Sequence, residues 1–241
     1  MRSDGHQTSR KLRQNIDLIA YLLRNPVSIF LAPSRRVPYP RRVFIPDVSL
    51  HVFPRGLNGE AIARDEDDAE HLRQVVAEAA ARYNVRIHAY AFMATHYHLI
   101  VTPPTKHALP RTMQLADGRH TKYFNRKYQR RGTIWNERYG AVLLDSERYW
   151  YTCLRYVDQN PFRAHIVASP EDSSWSSYRV HALGERCEWL TPHPLYAKLG
   201  ATPQERQAAY RAICSRALTD DEVEELRYPP RERVIQLPRA K

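Results

Sequence analysis

The run Val85-Arg-Ile-His-Ala-Tyr-Ala-Phe-Met93, linked by Ala94-Thr95 to His96-Tyr-His-Leu-Ile-Val-Thr102, decides the fold of this chain. Both runs are rich in β-branched and aromatic residues, and a two-residue link joins them, so they predict a β-hairpin. Alternate residues of a strand face the same side of a sheet. His96 and His98 are therefore expected to project together from one face.

The segments on either side of this hairpin predict alternating strands and helices. They are a strand at 48–53, helices at 65–83 and 109–127, an extended piece at 139–144 and a third helix at 146–160. The order β-α-β-β-α-β is that of a ferredoxin-like sheet. We therefore expect an α+β protein with such a sheet, an added tyrosine-bearing helix and a helical C-terminal extension.

Composition narrows the class of protein. The chain has 241 residues, of which 43% are hydrophobic, so it can form a globular core and is not wholly disordered. There are 37 lysines and arginines against 26 acidic residues, a net charge of +11. This excess indicates a polyanionic partner, although a genome rich in arginine codons would produce it too. The three cysteines lack a C-x-x-C pair, which argues against a disulfide framework or a cysteine-based zinc site.

The sequence contains no recognisable membrane or export signal. No apolar run approaches the ~18 residues of a membrane span, and the N-terminus lacks the apolar core followed by small residues that a signal peptide has. We therefore expect a cytoplasmic protein with no membrane partner. Residues 1–42 contain nine basic residues against two acidic ones, and they are interpreted as a disordered basic extension.

Two patterns predict groups that can act in chemistry. His96 and His98 on one face can bind one metal ion, although a chain with eleven histidines also produces such pairs by chance. Tyr156 and Asn160 are four residues apart on the predicted third helix, so a hydroxyl and an amide oxygen can meet at one point. They can equally be a residue at the border of the apolar stripe and a polar group at the helix end.

A third pattern, over 119–138, combines cations with aromatic residues. Cations bind the phosphate backbone and aromatic rings stack on unpaired bases, so the mixture suits single-stranded or hairpin nucleic acid. A solvated helix face above a core stripe of aromatics is the alternative. The candidate DNA-binding residues are Arg119, Lys122, Arg126, Lys127, Arg130, Arg131, Trp135 and Arg138.

Five ordered motifs resemble those of a known family. They are His96-Tyr-His98, Tyr123-Phe-Asn-Arg-Lys-Tyr128, Gly132-Thr-Ile-Trp-Asn-Glu-Arg-Tyr139, Tyr156-Val-Asp-Gln-Asn-Pro-Phe-Arg163 and Trp175-Ser-Ser-Tyr178. From about His51 to Arg227 the chain resembles the REP-associated tyrosine transposases, which belong to the single-tyrosine HUH transposase superfamily. The resemblance implies a ferredoxin-like sheet that bears the two histidines, with a tyrosine helix packed beside it.

The resemblance also implies roles for individual residues. Tyr156 would be the nucleophile, and His96, His98 and Asn160 would hold a divalent metal, Mg²⁺ or Mn²⁺. The implied activity is cleavage and strand transfer of single-stranded or hairpin DNA through a covalent 5′-phosphotyrosine, as in DNA transposition. Residues 43–182 would form the catalytic domain and 183–241 a C-terminal helical extension and tail, in a monomer or a homodimer.

The chain departs from the family pattern at two places in the hairpin. Ala94-Thr95 replaces a usual Pro-Asn before the first histidine, and Tyr97 replaces a usual aliphatic residue between the histidines. Neither change removes a ligand or the nucleophile. Two other functions stay open: a nucleic-acid-binding module without chemistry, and a metal-dependent phosphoesterase that uses water while Tyr156 is only structural.

Overall fold

The computed structural model describes residues 46–230 together with 233 and 234. The basic extension predicted over 1–42 lies outside the described residues. The strands are β1 (Leu50–Phe53), β2 (Arg86–Phe92), β3 (Tyr97–Thr102) and β4 (Gly140–Leu143). The helices are α1 (Glu66–Arg82), α2 (Ala108–Lys127), α3 (Glu147–Asp158), α4 (Asn160–Arg163), α5 (Tyr178–Leu183), α6 (Pro194–Ala197), α7 (Pro203–Ser215) and α8 (Asp220–Arg227).

The four strands form one antiparallel sheet in the order β2-β3-β1-β4. The predicted α+β class and the order β-α-β-β-α-β are therefore confirmed. The hairpin is confirmed as well, with Phe92 opposite Tyr97. Its link is longer than predicted, because β3 begins at Tyr97 and His96 pairs instead with Arg55 in an isolated bridge.

The alternation of side chains along the strands divides the core into two layers. One face of the sheet packs on α1 and α2, and Leu50, Val52 and Leu99 belong to that layer. The other face packs on α3, where Ile100 and Val142 meet the predicted apolar stripe of the helix. The stripe residues Trp150, Cys153, Leu154 and Val157 are all buried, as expected. The sheet thus separates α2 from α3.

The helix predicted over 146–160 is shorter in the structure. Helix α3 ends at Asp158, and Asn160 begins the separate helix α4. Pro161 explains the break, because it has no N–H to donate to the carbonyl of Val157 and its ring would clash there. The prediction that Tyr156 and Asn160 share one continuous helix was therefore wrong.

The C-terminal helices pack against α3. Val223 and Leu226 of α8 and Tyr210 of α7 join the same buried layer as the apolar stripe of α3. The division into domains at residues 42 and 182 stays a prediction. Among the described residues, no helix is both long enough and apolar enough to cross a membrane.

Candidate active site

The candidate site lies on the α3 face of the sheet and centres on His98. This residue is on β3 and is buried. Burial lowers the pKa of its imidazole well below the ordinary value, and the neighbouring His96 and His51 act in the same direction. His98 is therefore a neutral ring at pH 7, which is the form that binds metals.

His51 on β1 is hydrogen-bonded to His98. The His51 Nε2 atom lies 2.9 Å from His98 Nδ1, and the two rings stack with centroids 5.1 Å apart. Burial lowers the pKa of His51 to about 3, so this ring is neutral too. The other nitrogen of each ring, His51 Nδ1 and His98 Nε2, is buried and has no hydrogen-bond partner among the described residues.

His96 lies at the open end of the site. Its ring is perpendicular to that of His98, with centroids 5.0 Å apart, so the sequence-based expectation that the two histidines share a face is confirmed. Thr95 Oγ1 lies 3.0 Å from His96 Nδ1. Burial, together with the nearby charge of Arg55, lowers the pKa of His96 to about 4. Both histidines are thus neutral at physiological pH.

Tyr156, on the last turn of α3, faces this pair of histidines. Its ring meets the His98 ring edge to face at 5.4 Å between centroids and the His51 ring at 6.2 Å. The guanidinium carbon of Arg163 lies 5.8 Å from the centre of the Tyr156 ring. An arginine at this position can pair with a phosphate oxygen brought to the phenol.

The hydroxyl of Tyr156 differs from those of its neighbours on α3. The Tyr149 hydroxyl donates a hydrogen bond to the carbonyl of Glu225, and that of Tyr151 donates to the carbonyl of Leu195. Within the part of the chain that the structure describes, the Tyr156 hydroxyl makes no hydrogen bond. Of the three, Tyr156 is the one whose oxygen is left available for chemistry.

A buried polar network fixes the end of the helix that bears Tyr156. Asp158 Oδ2 accepts hydrogen bonds from His181 Nδ1 at 2.7 Å and from the Tyr210 hydroxyl at 2.6 Å. Asp158 Oδ1 accepts another from the Ser177 hydroxyl. Because α5 and α7 supply these donors, the C-terminal half of the protein holds α3 in place on the sheet.

Asn160 is buried at the start of α4, just after Gln159. The break in the helix sets its position, since Pro161 follows directly. It lies four residues after Tyr156, and its amide oxygen is the third ligand that the family resemblance implies. Among the described residues, no group of three or more His, Cys, Asp or Glu side chains is placed to hold a metal ion.

The atom that best fits the binding of a divalent ion is His98 Nε2. His98 Nε2 is a buried nitrogen with no partner among the described residues, and its other nitrogen is held by His51. Imidazole ligands of metals are usually held in this way through the nitrogen that does not bind the metal. His96 and Asn160 would complete the set.

The predicted DNA-binding residues fall into two groups. The first group is on α2 or directly after it, on the face of the sheet opposite Tyr156, and consists of Arg119, Lys122, Arg126, Lys127, Arg130 and Arg131. The second group, Trp135 and Arg138, is on the loop before β4. That loop runs beside the site, because Asn136 N donates to the carbonyl of Arg55, the residue that bridges to His96.

Several of these side chains have partners within the protein. Arg119 pairs with Glu78 at 2.5 Å, Lys127 with Asp65 and Asp68 at 2.7 and 2.8 Å, and Arg130 with Glu60 at 3.7 Å. The indole N–H of Trp135 donates to the carbonyl of Asp117 and to Thr121 Oγ1. Lys122, Arg126 and Arg131 are exposed and form no ion pair among the described residues.

From the sequence, His51 is a candidate only for packing or for the substrate side of the site, and Arg163 has no role assigned to it. A single histidine in a strand has no distinctive spacing that would link His51 to the metal site. The signal that identifies it is the strand pairing, since His51 lies opposite Ile100, two residues beyond His98. Arg163 ends the family motif that begins at Tyr156. The sequence does not show that the turn at Pro161 brings its side chain back to the Tyr156 ring.

Comparison with known proteins finds one family model that is similar to part of this chain. Residues 47–160 match the sequence profile described as "Transposase IS200 like". No curated protein matches the chain significantly. A solved structure of a REP-associated tyrosine transposase bound to a REP hairpin is 13% identical, covers 68% of this chain and 93% of that chain, and has a TM-score of 0.47. Another, of a protein assigned as a transposase from Deinococcus radiodurans R1, is 14% identical, covers 53% of this chain and 97% of that chain, and has a TM-score of 0.35.

The family match spans 114 of the 241 residues and includes the elements that build the site. It begins before β1 and ends at Asn160. All four strands, the two histidines of the hairpin and Tyr156 lie within it. Over residues 47–160, just under half of its length, this chain is similar to the IS200-like transposase family.

Proposed function

We propose that this protein cleaves and rejoins single-stranded or hairpin DNA through a covalent 5′-phosphotyrosine on Tyr156, with a divalent metal ion held by His96, His98 and Asn160. One observation carries the proposal. A tyrosine whose hydroxyl makes no hydrogen bond with the described residues lies against a histidine whose buried Nε2 has no partner there either. The proposed nucleophile and a proposed metal ligand therefore lie side by side, with ring centroids 5.4 Å apart.

The step that requires catalysis is the attack of a phenol on a phosphodiester. A tyrosine hydroxyl has an ordinary pKa of about 10 and is a weak nucleophile at neutral pH. When bound, a divalent ion would polarise a phosphate oxygen and offset charge in the transition state. Imidazole suits several metals, whereas the amide and phosphate oxygens favour Mg²⁺ or Mn²⁺. The resemblance to the transposase family favours the same choice.

The proposed step exchanges one phosphoester for another. The Tyr156 oxygen forms a bond to phosphorus, and the bond between phosphorus and the 3′ oxygen breaks. The electron pair leaves with the 3′ oxygen, which takes a proton from solvent, while the phenolic proton is released to solvent. The products are a 5′-phosphotyrosine and a free 3′-hydroxyl. Because a phosphoester is kept, the reverse reaction with another 3′-hydroxyl can join strands without a nucleotide cofactor.

Strand-specific labelling of a DNA substrate tests this function. With Mg²⁺ or Mn²⁺ present, a 3′-end label should become attached to the protein and survive denaturation, whereas a 5′-end label should be released on a shorter strand. A phosphoesterase that uses water would cleave both substrates with no attached label. A binding module would retain both strands intact, and either of these results would overturn the proposal.

The DNA path is proposed to include the α2 face and the loop at 134–138. Lys127 is excluded as a test residue, because it pairs with Asp68, which is fully buried. Replacing that lysine would leave a buried carboxylate without its charged partner and would endanger the fold. Lys122, Arg126 and Arg131 pair with no buried carboxylate among the described residues, so their replacement should not endanger the fold.

Replacing Lys122, Arg126 and Arg131 together with glutamine should weaken hairpin binding and flatten its salt dependence. Every phosphate that the variant no longer neutralises should lower the slope of log K against log salt by about 0.7 for a single strand or about 0.9 for a duplex. Binding would be measured across a salt series on a hairpin and on an unstructured strand. Changing Arg148, Arg186 and Lys198 to glutamine is the control, because these exposed cations lie elsewhere and their removal changes the net charge equally. Equal effects of the two triple variants would contradict the proposed path.

A further inference from the structure

We infer that His51 is a positioning residue, which accepts a hydrogen bond from His98 Nδ1 and so keeps His98 in the one tautomer whose Nε2 can bind the metal ion. The inference rests on the proposed function, since it concerns the metal site of that function. It adds a residue of β1 to a site otherwise built from the β2–β3 hairpin, α3 and α4.

The His51 and His98 rings share a limited number of protons. Both imidazoles are buried, and burial favours their neutral form, in which each ring carries one N–H. The 2.9 Å contact between His51 Nε2 and His98 Nδ1 holds one of these protons. Either His98 donates to His51, or His51 donates to His98.

The two arrangements differ at the outward nitrogen of His98. If His98 donates through Nδ1, its Nε2 carries a lone pair and can bind a metal ion. If His51 donates, the proton of His98 is on Nε2, which then cannot bind a metal. A neutral imidazole has one donor and one acceptor nitrogen, so no third arrangement exists.

Metal binding favours one of the two arrangements, because it gives a partner to a nitrogen that otherwise has none. Both arrangements leave His51 Nδ1 and His98 Nε2 unpaired, because neither atom has a partner among the described residues. Metal binding satisfies His98 Nε2 in the first arrangement alone. In that arrangement His98 binds the metal ion and His51 accepts the hydrogen bond from its other nitrogen. A metal-bound histidine usually has such an acceptor.

The structure also shows why His51 can do this and His88 cannot. His88 lies on the same face of the sheet, but its ring is committed to Thr102 Oγ1 and to the carbonyl of Thr191. It makes no hydrogen bond with His98. His88 is therefore a matched control, a buried histidine near the site with both nitrogens engaged elsewhere.

Metal affinity measures the role directly, without DNA cleavage. We expect His51→Phe to bind Mn²⁺ about 10- to 100-fold more weakly than the unmodified protein, by electron paramagnetic resonance titration. His51→Gln, whose amide oxygen can accept from His98 Nδ1, should recover much of the affinity. His88→Phe should change it less than threefold. Equal affinities in all four proteins would overturn the inference.

The tautomers of His51 and His98 can be determined in the unmodified protein. This test therefore remains valid even if the variants fail to fold. With ¹⁵N-labelled histidine and Mg²⁺, two-dimensional NMR should show the His98 and His51 protons on Nδ1. A His51 proton on Nε2 in the metal-loaded protein would contradict the inference. Mn²⁺ binding that responds to His51 without any DNA adduct would leave this inference standing and overturn the proposed function. Absence of Mn²⁺ binding in the unmodified protein would overturn both.

Discussion

Tyr156→Phe should abolish strand cleavage and the covalent adduct, with a loss of at least about 10⁴-fold in rate. The substitution removes the oxygen that would attack phosphorus and keeps the ring. That ring contacts His98, His51 and Arg163, so the packing at the end of α3 should be preserved. Affinity for a DNA hairpin should stay within a few-fold, as measured by filter binding or fluorescence anisotropy.

A second tyrosine on α3 provides the matched control for this variant. Tyr151→Phe also removes one hydroxyl from the helix, and it breaks the 2.7 Å hydrogen bond to the carbonyl of Leu195. It should lower the free energy of unfolding by about 1 kcal/mol and leave the cleavage rate nearly unchanged. Retained cleavage in Tyr156→Phe would show that another group is the nucleophile.

His98→Ala should eliminate metal-dependent cleavage, because it removes the buried nitrogen that has no other partner among the described residues. We expect His96→Ala to have a similar effect and Asn160→Ala a smaller one, since an amide is a weaker ligand than an imidazole. Cleavage would be measured over a range of Mg²⁺ concentrations, so that weak metal binding is distinguished from a defect in the chemical step.

Two measurements make this result interpretable. His88→Ala removes a buried imidazole from the same face of the sheet, and it should unfold more easily but cleave normally once folded. Urea denaturation of each variant would show which preparations are folded. Cleavage by the unmodified protein that persists in excess chelator would contradict the metal mechanism altogether.

Most of the fold could be predicted because strand alternation and helical spacing are local signals. The hairpin, the succession of strands and helices along the chain and the apolar stripe of α3 all follow from residues close together in the chain. The shared face of His96 and His98 follows from the two-residue period of a strand. Tyr97, which lies between these histidines in the chain, points to the other face, where its hydroxyl donates to Asp117 on the α2 side of the sheet.

The parts that could not be predicted depend on contacts between distant segments. The hydrogen bond between His51 and His98 needs the pairing of β1 with β3, which no local pattern specifies. The ion pairs of α2 likewise join residues about 40 to 60 positions apart, so a run of cations along the sequence overstated how many are available to DNA. The roles of Tyr156, His96, His98 and Asn160 stay predictions.

The most direct test of the account is the chemical identity of the residue that becomes linked to DNA. The protein would be incubated with a 3′-labelled strand and Mg²⁺ or Mn²⁺, denatured, digested with nuclease and protease, and analysed by mass spectrometry. We expect one modified peptide, with a nucleotide joined through its 5′-phosphate to Tyr156. A nucleotide on any other residue, or complete cleavage of the strand with no modified peptide, would contradict the central claim.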